Sequence, residues 1–488
     1  MRTTTNDALA ILVALILLFG VKYFSGRSSK PLPPGPRPLP LIGNIFDLAS
    51  AGELWLRATE WSKQFGDIVY LHVLGQSVLF LNSREAAVDL LDKRSAIYSD
   101  KPSLVMVGDL CGCKEMIPFL PYGESFRRRR KLMQKTLGPR SIPAYHSILH
   151  SETHTFIDAL VSSPSNYLRH IRRYSGGITL AVVYGYPVTS SSDKYLLLAE
   201  ECMGLLANEI ASGTGLWLVD VLPFLRYLPS WFPGAGFKRK AAIWKPRLDA
   251  FMDRPYENAK SRWKSNSILP SFCSSILDEK EDLIPGFELD IKTTANSMYA
   301  ASADTTISTI SHFLLAMINY PQIFVKAKKE IETVVGTERL PTFSDREHLP
   351  YIEAILNETW RWGCPVPINL PHLLQEDDIY QGLLIPKGTM VIANMWAMSR
   401  DETLYPNASE FVPDRFMEEL TPECRDKMDP RNFIFGFGRR RCPGADLVDS
   451  SIWLLIATMV STLEFSKPLD ETGNYINPTV VFDNMFFR

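Results

Sequence analysis

One cysteine near the end of the chain stands in a segment rich in glycine and arginine. Residues 435–444 read FGFGRRRCPG, and Cys442 is followed directly by Pro443. An apolar stretch at 447–463 comes next, and because proline is favoured in the first turn of a helix, we expect Cys442 to lie at a helix N-terminus. The helix dipole, loop N–H groups and arginines would then favour its thiolate. A thiolate held in an apolar pocket suits a soft metal, haem iron above all; a buried structural cysteine beside a solvated basic run is the alternative.

The fixed positions of this segment follow a known spacing: Phe, two residues, Gly, one, Arg, one, Cys, one, Gly. They are filled by Phe435, Gly438, Arg440, Cys442 and Gly444. The segment therefore resembles the haem-binding loop of the cytochrome P-450 superfamily. The resemblance implies that haem b binds here, with Cys442 as the axial iron ligand and Arg440 at a haem propionate. It also places Phe435 and Gly444 among the cofactor-binding residues.

Two further segments fit the same family in the expected order. Glu358 and Arg361 (ETWR) lie three residues apart on a predicted helix, so their side chains share one face. Arg415 lies in a Pro-Asp-Arg-Phe segment at 413–416. The resemblance implies that the three side chains form a buried network. Because a buried charge must be paired, we expect this network to be a structural clamp with no catalytic role.

The chain from Leu289 to Ile318 predicts one long buried helix, which carries ASADTT at 301–306. The resemblance implies that an acid–alcohol pair on this helix, Asp304 and Thr305, delivers protons to dioxygen. The alternative is that the hydroxyls only bond to carbonyls of the preceding turn. Ser302 stands where the family usually has glycine, and we expect its side chain to narrow the groove beside the helix.

Residues 122–132 (YGESFRRRRKL) resemble the Trp-Arg-x-x-Arg helix of the family, with Phe126 in place of tryptophan. The resemblance implies that Arg130 reaches a haem propionate, while the missing indole N–H removes one expected hydrogen bond. His372 is a second candidate propionate donor, with a plain surface histidine as the alternative. The other cations of the run form either a solvated face or a dock for an acidic electron-donor protein.

Helical periodicity dominates the chain around these residues. Further helices are predicted at 322–335 and 351–362, whereas strand-like pieces are short, at 68–73, 77–81 and 390–393. Length alone suggests about three domains, but no long linker or internal repeat divides residues 50–488. We therefore expect one mainly α catalytic domain there. By the resemblance it is a single large cytochrome P-450 fold, with a long central helix, haem sandwiched between helices and small β-sheets.

The N-terminal residues differ in composition from the rest. Residues 8–24 are almost entirely apolar and, as a helix, reach the lower limit for crossing a bilayer core. Cations follow without a small-residue cleavage site, which favours an uncleaved transmembrane anchor over a cleaved signal peptide. The same cations place residues 1–7 in the lumen and the catalytic domain on the cytoplasmic side of the endoplasmic reticulum, as a single-pass protein. The proline-rich residues 25–49 predict a stiff, extended hinge and not a packed element.

The overall composition excludes several classes of protein. Lys and Arg total 52 and Asp and Glu total 54, a formal net charge of −2, so nothing draws the chain globally to nucleic acid. Seven cysteines scattered along the chain do not make a disulfide framework. Glycosylation patterns at Asn357 and Asn407 are discounted, because the first lies in the predicted clamp helix and the predicted orientation keeps both out of the lumen.

The resemblance covers nearly the whole chain and implies a haem-thiolate monooxygenase. Electrons come from NADPH through a cytochrome P-450 reductase, with cytochrome b5 as a further candidate donor. Segment 223–241 more narrowly resembles fungal members, such as O-methylsterigmatocystin oxidoreductase-like and tryptamine 4-monooxygenase-like enzymes, which indicates secondary metabolism. The expected substrate is an apolar or aromatic small molecule, such as a terpenoid, polyketide or alkaloid, because the expected contact loops are mostly apolar. These loops are 105–120, 216–237, 366–370 and 482–487. The second is expected to be an apolar lid or a membrane-touching loop, with an interrupted core helix as the alternative.

Two other functions fit parts of the sequence. A haem-thiolate isomerase or dehydratase would need no reductase, but such enzymes typically lose the acid–alcohol pair that this chain keeps. A membrane-anchored scaffold protein with a zinc site is the other alternative. Its thiols would come from Cys111, Cys113, Cys424 and Cys442, yet one residue between the first two is tighter than usual zinc spacing.

Overall fold

The computed structural model describes residues 30–481 except 211–216, 280–285, 468, 471 and 477. Most of this part of the chain is helical, in agreement with the predicted mainly α fold. Its α-helices are α1 (Ile45–Ala49), α2 (Leu54–Phe65), α3 (Arg84–Ala87), α4 (Ser95–Tyr98), α5 (Glu124–Leu137), α6 (His146–Ser162), α7 (Tyr167–Tyr184), α8 (Lys194–Gly204), α9 (Leu218–Val221), α10 (Gly236–Lys264), α11 (Phe272–Asp278), α12 (Phe287–Asn319), α13 (Pro321–Val334), α14 (Pro350–Gly363), α15 (Met395–Ser399), α16 (Pro422–Met428), α17 (Arg431–Ile434) and α18 (Ala445–Thr462).

Two small sheets lie beside these helices. The larger has the strand order β1-β2-β6-β3, with β2 and β6 parallel and the other neighbours antiparallel. A separate antiparallel pair joins β4 to β5. The three short strands predicted from the sequence are confirmed, and β2 begins one residue earlier than predicted. The strands are β1 (Ile68–Val73), β2 (Gln76–Leu81), β3 (His372–Leu373), β4 (Asp378–Tyr380), β5 (Leu383–Ile385) and β6 (Met390–Ala393).

The longest helix, α12, runs through the middle of the helical layer and confirms the helix predicted at 289–318. It packs against α5, α7, α8, α10, α14 and α18. Residues 293–300 are all buried, as are most residues from 308 to 317. A helix with neighbours on every side shows no polar stripe, which is why its sequence reads as continuously apolar and small. Its central turn can therefore face an interior space.

The second-longest helix, α10, was not predicted. It spans Gly236–Lys264 with Pro246 and Pro255 inside it, and an internal proline costs a helix about 3 kcal/mol. Fully burying a large apolar side chain contributes about 1.5–3 kcal/mol, and this helix buries four. Their burial offsets the two prolines, and the four are Trp244, Leu248, Phe251 and Tyr256.

The predicted hinge, residues 25–49, is packed against the sheets where the structure describes it. The Tyr70 N–H donates to the Pro34 carbonyl at 2.8 Å, and the Leu384 N–H donates to the Pro31 carbonyl at 2.8 Å. The expectation of an unpacked spacer is therefore wrong from residue 30 onward, because proline lacks the donor but keeps its acceptor. Residues 25–29, the predicted lumenal residues and the predicted anchor lie outside the described residues.

Within the described residues, one helix is long and apolar enough to cross a membrane, and it is α18. Residues 451–460 of this helix are all buried in the protein. It packs against α6, α12, α13 and α14. Its apolar composition is therefore that of a core helix, and it supports the loop that carries Cys442.

Candidate active site

The segment that carries Cys442 is a tight loop folded back on itself. The Cys442 N–H donates to the Phe435 carbonyl at 2.7 Å, which closes the loop. Gly438 lies inside it at φ +54°, and a Cβ there would clash with the Leu91 carbonyl oxygen, so only glycine fits. The Phe435 ring packs edge-on against Trp360 with centroids 5.4 Å apart. This contact ties the loop to α14.

The helix after the loop does not extend back to Cys442. Gly444 is the N-cap residue of α18 and Ala445 its first residue, so Cys442 lies two residues before the cap. Burial raises the pKa of the Cys442 thiol, although the Gly444 N–H and nearby arginines lower it. The expected preference for the thiolate is therefore opposed by burial and supported by the Gly444 N–H and the arginines. A coordinating metal ion favours the thiolate, because metal binding deprotonates a thiol outright.

Accessible surface occurs at Cys442 and in the middle of α12. The Cys442 side chain has accessible surface, yet burial is the main influence on its pKa, and from this combination we infer that the surface faces an interior space. On α12, Ala301 is exposed and residues 302–305 are half-buried, directly after the fully buried stretch 293–300. Interior surface of this kind is expected of a chain that folds around a group that is not part of it.

The predicted proton-delivery pair lies on this stretch of α12. Thr305 Oγ1 donates to the Ala301 carbonyl at 2.9 Å, the back-bonding that threonine often shows in helices. Asp304 is half-buried beside it. Ser302 does not point into the groove as expected, because its Oγ lies 2.7 Å from Thr179 Oγ1 on α7. Asp304 and Thr305 therefore lie in the same helical turn as the exposed Ala301, whereas the Ser302 side chain faces α7.

Positive charges gather near the cysteine loop. Arg440 is close enough to Lys101 and Arg130 that their charges interact, and Arg130 interacts with Cys442. Burial lowers the pKa of all three cations, to about 10 for Arg440. Asp100 is the carboxylate that faces Lys101 and Arg440. By formal charge, three cations against one carboxylate leave an excess of two, which matches the two propionates of haem b; binding these anions would favour the charged form of the buried Lys101.

The two arginines of this cluster differ in their partners. Arg440 stacks on the Phe126 ring at 3.8 Å. Phe126 therefore makes a cation–π contact, although it lacks the indole N–H of the tryptophan that is usual at this position. Arg130 has no hydrogen bond or ion pair with any other residue that the structure describes, which leaves its guanidinium available for an anion. The Arg440 guanidinium donates at 2.8, 3.1 and 2.8 Å to three carbonyls, those of Ser99, Ile117 and Leu120.

His372 is buried, so the alternative of a surface histidine is wrong. Its Nδ1 donates to the Tyr98 carbonyl at 2.8 Å. Burial lowers the pKa of His372 well below its usual value, and the charges of Lys101 and Arg440 lower it further. The neutral ring therefore presents Nε2 as an acceptor. It could donate to a propionate only if that anion raised the pKa enough to protonate the ring.

Glu358, Arg361 and Arg415 come together in the core, and all three are buried. Arg361 binds Glu358 through two parallel bonds, from Nε at 2.7 Å and from Nη2 at 2.6 Å. Arg415 Nε lies 3.4 Å from Glu358 Oε1, and the Val412 N–H donates to the same oxygen at 2.8 Å. The network fastens α14 to the chain after α15, since the Arg361 guanidinium also binds the carbonyls of Ser399, Ala408 and Glu410.

The two basic runs of the sequence meet on one surface. Arg439 Nη1 donates to the Tyr122 hydroxyl at 2.9 Å, and the Arg127 guanidinium lies 5.8 Å from the centre of the same ring. Arg129, in contrast, is buried and pairs with Asp290 on α12 at 2.7 Å. A docking face for an acidic protein would therefore use the exposed arginines and exclude Arg129.

The predicted lid is broken into short helical pieces and contacts another predicted substrate loop. The Met106 N–H donates to Asp220 Oδ1 at 2.8 Å. Arg226 pairs with Asp109 at 2.8 Å. These contacts join the segment 217–237 to the π-helical turn Val105–Leu110. Residue 216 and the predicted tail at 482–487 lie outside the described residues.

The zinc-site alternative gains no support. Among the residues that the structure describes, no group of three or more His, Cys, Asp or Glu side chains could hold a metal ion. Cys111 and Cys113 are buried, and burial raises the pKa of each thiol to about 12. Both therefore stay protonated near neutral pH and serve as apolar core residues.

Lys101 is a site residue that the sequence interpretation missed. It is buried, and its Nζ donates to the Leu370 and Pro371 carbonyls at 2.7 and 3.0 Å. No spacing or periodicity marks a lone loop lysine; only its burial does, and burial needs the tertiary structure. With Lys101 included, the site fits haem: it offers one interior sulfur for the iron and an excess of buried positive charge for the propionates.

Comparisons with known proteins find relatives over nearly the whole chain. The family model described as cytochrome P-450 matches residues 33–483. Cytochrome P-450 monooxygenase claT of Ampulloclitocybe clavipes is 38% identical over 484 residues, which cover 99% of this chain and 93% of the relative. Cytochrome P-450 monooxygenase claR of the same organism is 40% identical over 490 residues, covering 99% and 88%. Cytochrome P-450 monooxygenase 208 of Postia placenta is 39% identical over 470 residues, covering 96% and 90%.

Proposed function

The chain belongs to the cytochrome P-450 family and is a haem-dependent monooxygenase, and we propose that it oxidises an apolar or aromatic small molecule of fungal secondary metabolism at the endoplasmic reticulum membrane. The observation that carries this function is the interior sulfur of Cys442. When bound, haem supplies the oxidising chemistry that no side chain can perform. Cys442 would hold its iron, while Lys101, Arg130 and Arg440 would hold its propionates.

The side chains of α12 are assigned to moving protons. A monooxygenase places one oxygen atom of dioxygen in the substrate and releases the other as water, which consumes two protons and two electrons. Thr305 Oγ1 now donates to the Ala301 carbonyl, and it can exchange that acceptor for an oxygen atom in the interior space. The half-buried Asp304 carboxyl group, one residue earlier, can resupply the proton.

Replacing Thr305 by alanine is expected to divert NADPH consumption from product to hydrogen peroxide. Without the hydroxyl, protons no longer arrive at the right atom, and general-acid contributions are worth about 10²–10⁴-fold in rate. We expect product formed per NADPH to fall at least about tenfold. The assay measures NADPH oxidised, peroxide formed and oxygen-18 incorporated from labelled dioxygen, with the enzyme reconstituted with cytochrome P-450 reductase.

Two variants serve as controls for this assay. Thr305→Ser keeps the hydroxyl and should restore most of the product. Thr309→Ala removes a similar back-bonded hydroxyl one turn later and should leave the ratio of product to NADPH near the wild-type value. An unchanged product yield in Thr305→Ala would contradict the proton-delivery assignment. Unlabelled product formed without reductase would instead favour the isomerase alternative.

The substrate class is proposed from the loops expected to contact it. The turn Val105–Leu110 supplies Val105, Met106 and Val107, all buried and apolar. Few fixed charges face such a substrate, so binding selects apolar shape. The substrate for the assays above would come from a panel of terpenoids, polyketides and aromatic alkaloids, chosen by the change in haem absorption on binding. The likeness of segment 223–241 to fungal biosynthetic enzymes supports the choice of panel.

Membrane association is supported by the exposed face of the segment 217–237. Large apolar side chains on this face stand in water, which is unusual for a soluble surface. The exposed Arg239 lies beside them and suits anionic headgroups. We assign this face to the membrane interface on the side of the predicted anchor. Its exposed apolar side chains are Leu218, Phe224, Tyr227, Trp231 and Phe232.

Trp231 offers a direct probe of this contact, because 78% of its surface is exposed. In vesicles that contain lipids brominated near the headgroup, we expect Trp231→Phe to remove a quenchable component, about one tenth of the emission of ten tryptophans. Trp263→Phe is the matched control, since Trp263 lies near the far end of α10, about 40 Å from Gly236. Equal quenching of the wild type and Trp231→Phe would place this face away from the lipid.

A further inference from the structure

Ser302 lies in the turn of α12 that carries Asp304 and Thr305, and its hydroxyl faces α7. Ser302 Oγ is 2.7 Å from Thr179 Oγ1. Ser175 Oγ, one turn earlier on α7, donates to the Ser302 carbonyl at 2.9 Å. Three hydroxyls therefore join the two helices at the one turn of α12 that faces the interior space.

The hydroxyl protons of Thr179 and Ser302 both have acceptors, whichever of the two hydroxyls donates to the other. If Thr179 donates to Ser302, then Ser302 donates to the Tyr299 carbonyl at 3.0 Å. If Ser302 donates to Thr179, then Thr179 donates to the Ser175 carbonyl at 3.0 Å. Both arrangements leave every hydroxyl proton with an acceptor. Ser175 and Thr179 are buried, so losing either partner would leave a polar group without its hydrogen bond and without water.

The sequence of α7 brings the two helices close enough for these contacts. Its facing stretch reads Ser-Gly-Gly-Ile-Thr from Ser175 to Thr179, and residues four apart in a helix share one face. Both hydroxyls on this face are short, so the hydroxyl of Ser175 reaches a backbone carbonyl of α12. Long side chains on this face of α7 would hold the two helices farther apart, and the Ser175 hydroxyl would then not reach the Ser302 carbonyl.

The contacts act on carbonyls just before the proton-delivery pair. The Ser302 carbonyl accepts from Ser175, and the preceding Ala301 carbonyl accepts from Thr305. A helix carbonyl that accepts an added hydroxyl shares its lone pairs with the amide four residues later, so the helix loosens and bends there. Two neighbouring carbonyls in this state make residues 301–305 an adjustable turn of α12. Unlike the hydroxyl bonds within α12, the bond from Ser175 comes from a second helix, so it can fix where this turn rests.

We propose that Ser175, Thr179 and Ser302 form a hydroxyl clamp that orients Asp304 and Thr305 toward the interior space. The clamp is a positioning device, because its residues act through the backbone of α12 and hold no substrate. Serine at position 302 completes it, since glycine offers no hydroxyl to Thr179. The proposal rests on the proton-delivery role of Asp304 and Thr305, and it adds the element that sets their geometry.

Thr179→Val tests the hydroxyl clamp, because valine keeps the shape of threonine and replaces its hydroxyl by a methyl group that cannot form hydrogen bonds. We expect backbone amides at 299–306 to exchange with deuterium about tenfold faster, as loss of one buried hydrogen bond permits. We also expect the share of NADPH lost to peroxide to rise severalfold although Thr305 is intact. The carbon-monoxide spectrum should stay that of the wild type, since the haem ligand is untouched.

Two matched variants separate positioning from general destabilisation. Thr179→Ser keeps the hydroxyl and should restore both the exchange rate and the coupling. Thr458→Val removes a buried threonine hydroxyl that bonds only within α18, to the Leu454 carbonyl at 2.8 Å. It should leave exchange at 299–306 unchanged. Unchanged exchange there in Thr179→Val, or equal acceleration along the whole of α12, would overturn the clamp.

The exchange measurement also keeps this proposal distinct from the proposed function. If Thr305→Ala leaves coupling unchanged, the proton-delivery assignment fails, whatever the exchange rates are. If Thr305→Ala uncouples the enzyme while Thr179→Val accelerates local exchange without raising peroxide, the turn moves but the pair does not depend on it. That second result would overturn the positioning role and leave proton delivery in place.

Discussion

Replacing Glu358 by glutamine is expected to lower the free energy of unfolding by about 3–5 kcal/mol, the usual cost of breaking a buried ion pair. Glu358 is fully buried and accepts two bonds from Arg361, one from the Val412 N–H and a longer one from Arg415. Glutamine keeps the shape but removes the charge and turns one acceptor into a donor. The Arg361 guanidinium would then be buried without its counter-ion.

Glu60→Gln is the matched control for this measurement. Glu60 pairs with Arg57 at 2.9 Å across the same three-residue spacing, but both side chains are exposed. Exposed pairs contribute about 0–1 kcal/mol, so the control should unfold near the wild-type urea concentration. Unfolding followed by tryptophan fluorescence compares the two variants. Equal unfolding midpoints for Glu358→Gln and the wild type would show that the network of Glu358, Arg361 and Arg415 does not stabilise the fold.

The parts of the fold that were predictable are those set by local pattern. The strands at 68–73 and 390–393 and the helix α12 follow from which residues alternate or run apolar. The helix α10 was not predictable in this way, because its two prolines disfavour a helix locally. The burial of its apolar side chains stabilises the helix, but that burial depends on neighbouring elements that local sequence does not reveal. The packed proline segment after residue 30 was missed for the same reason. The sequence shows that the proline carbonyls can accept hydrogen bonds, but it does not show which strands lie close enough to donate them.

The site divides along the same line. Cys442 and the loop around it were found because a chemical requirement fixes residue types at short spacing. Lys101 carries no such spacing, and the burial of Arg129 depends on Asp290, far away in sequence. The direction of Ser302 was predicted wrongly because the position of α7 decides it. Short-range chemistry is therefore readable from sequence, while charge pairing and side-chain direction depend on which helices meet.

Replacing Cys442 by alanine is expected to remove the iron ligand entirely. Its sulfur is the one thiol whose surface opens onto the interior space next to Arg130, and we find no substitute thiol in the loop at 435–444. A thiolate ligand pushes electron density onto iron, which gives this class of haem protein its chemistry. Cys424→Ala is the matched control, because Cys424 is also partly accessible but contacts Met428 at 3.8 Å and not the interior space.

The most direct test of haem–thiolate ligation at Cys442 is the carbon-monoxide difference spectrum of the reduced protein. The wild type and Cys424→Ala should both show the strongly red-shifted band of a thiolate-ligated haem, and Cys442→Ala should lose it completely. A purified wild-type protein that binds no haem, or a Cys442→Ala variant that keeps the red-shifted band, would contradict the assignment of this cysteine and of the site built around it.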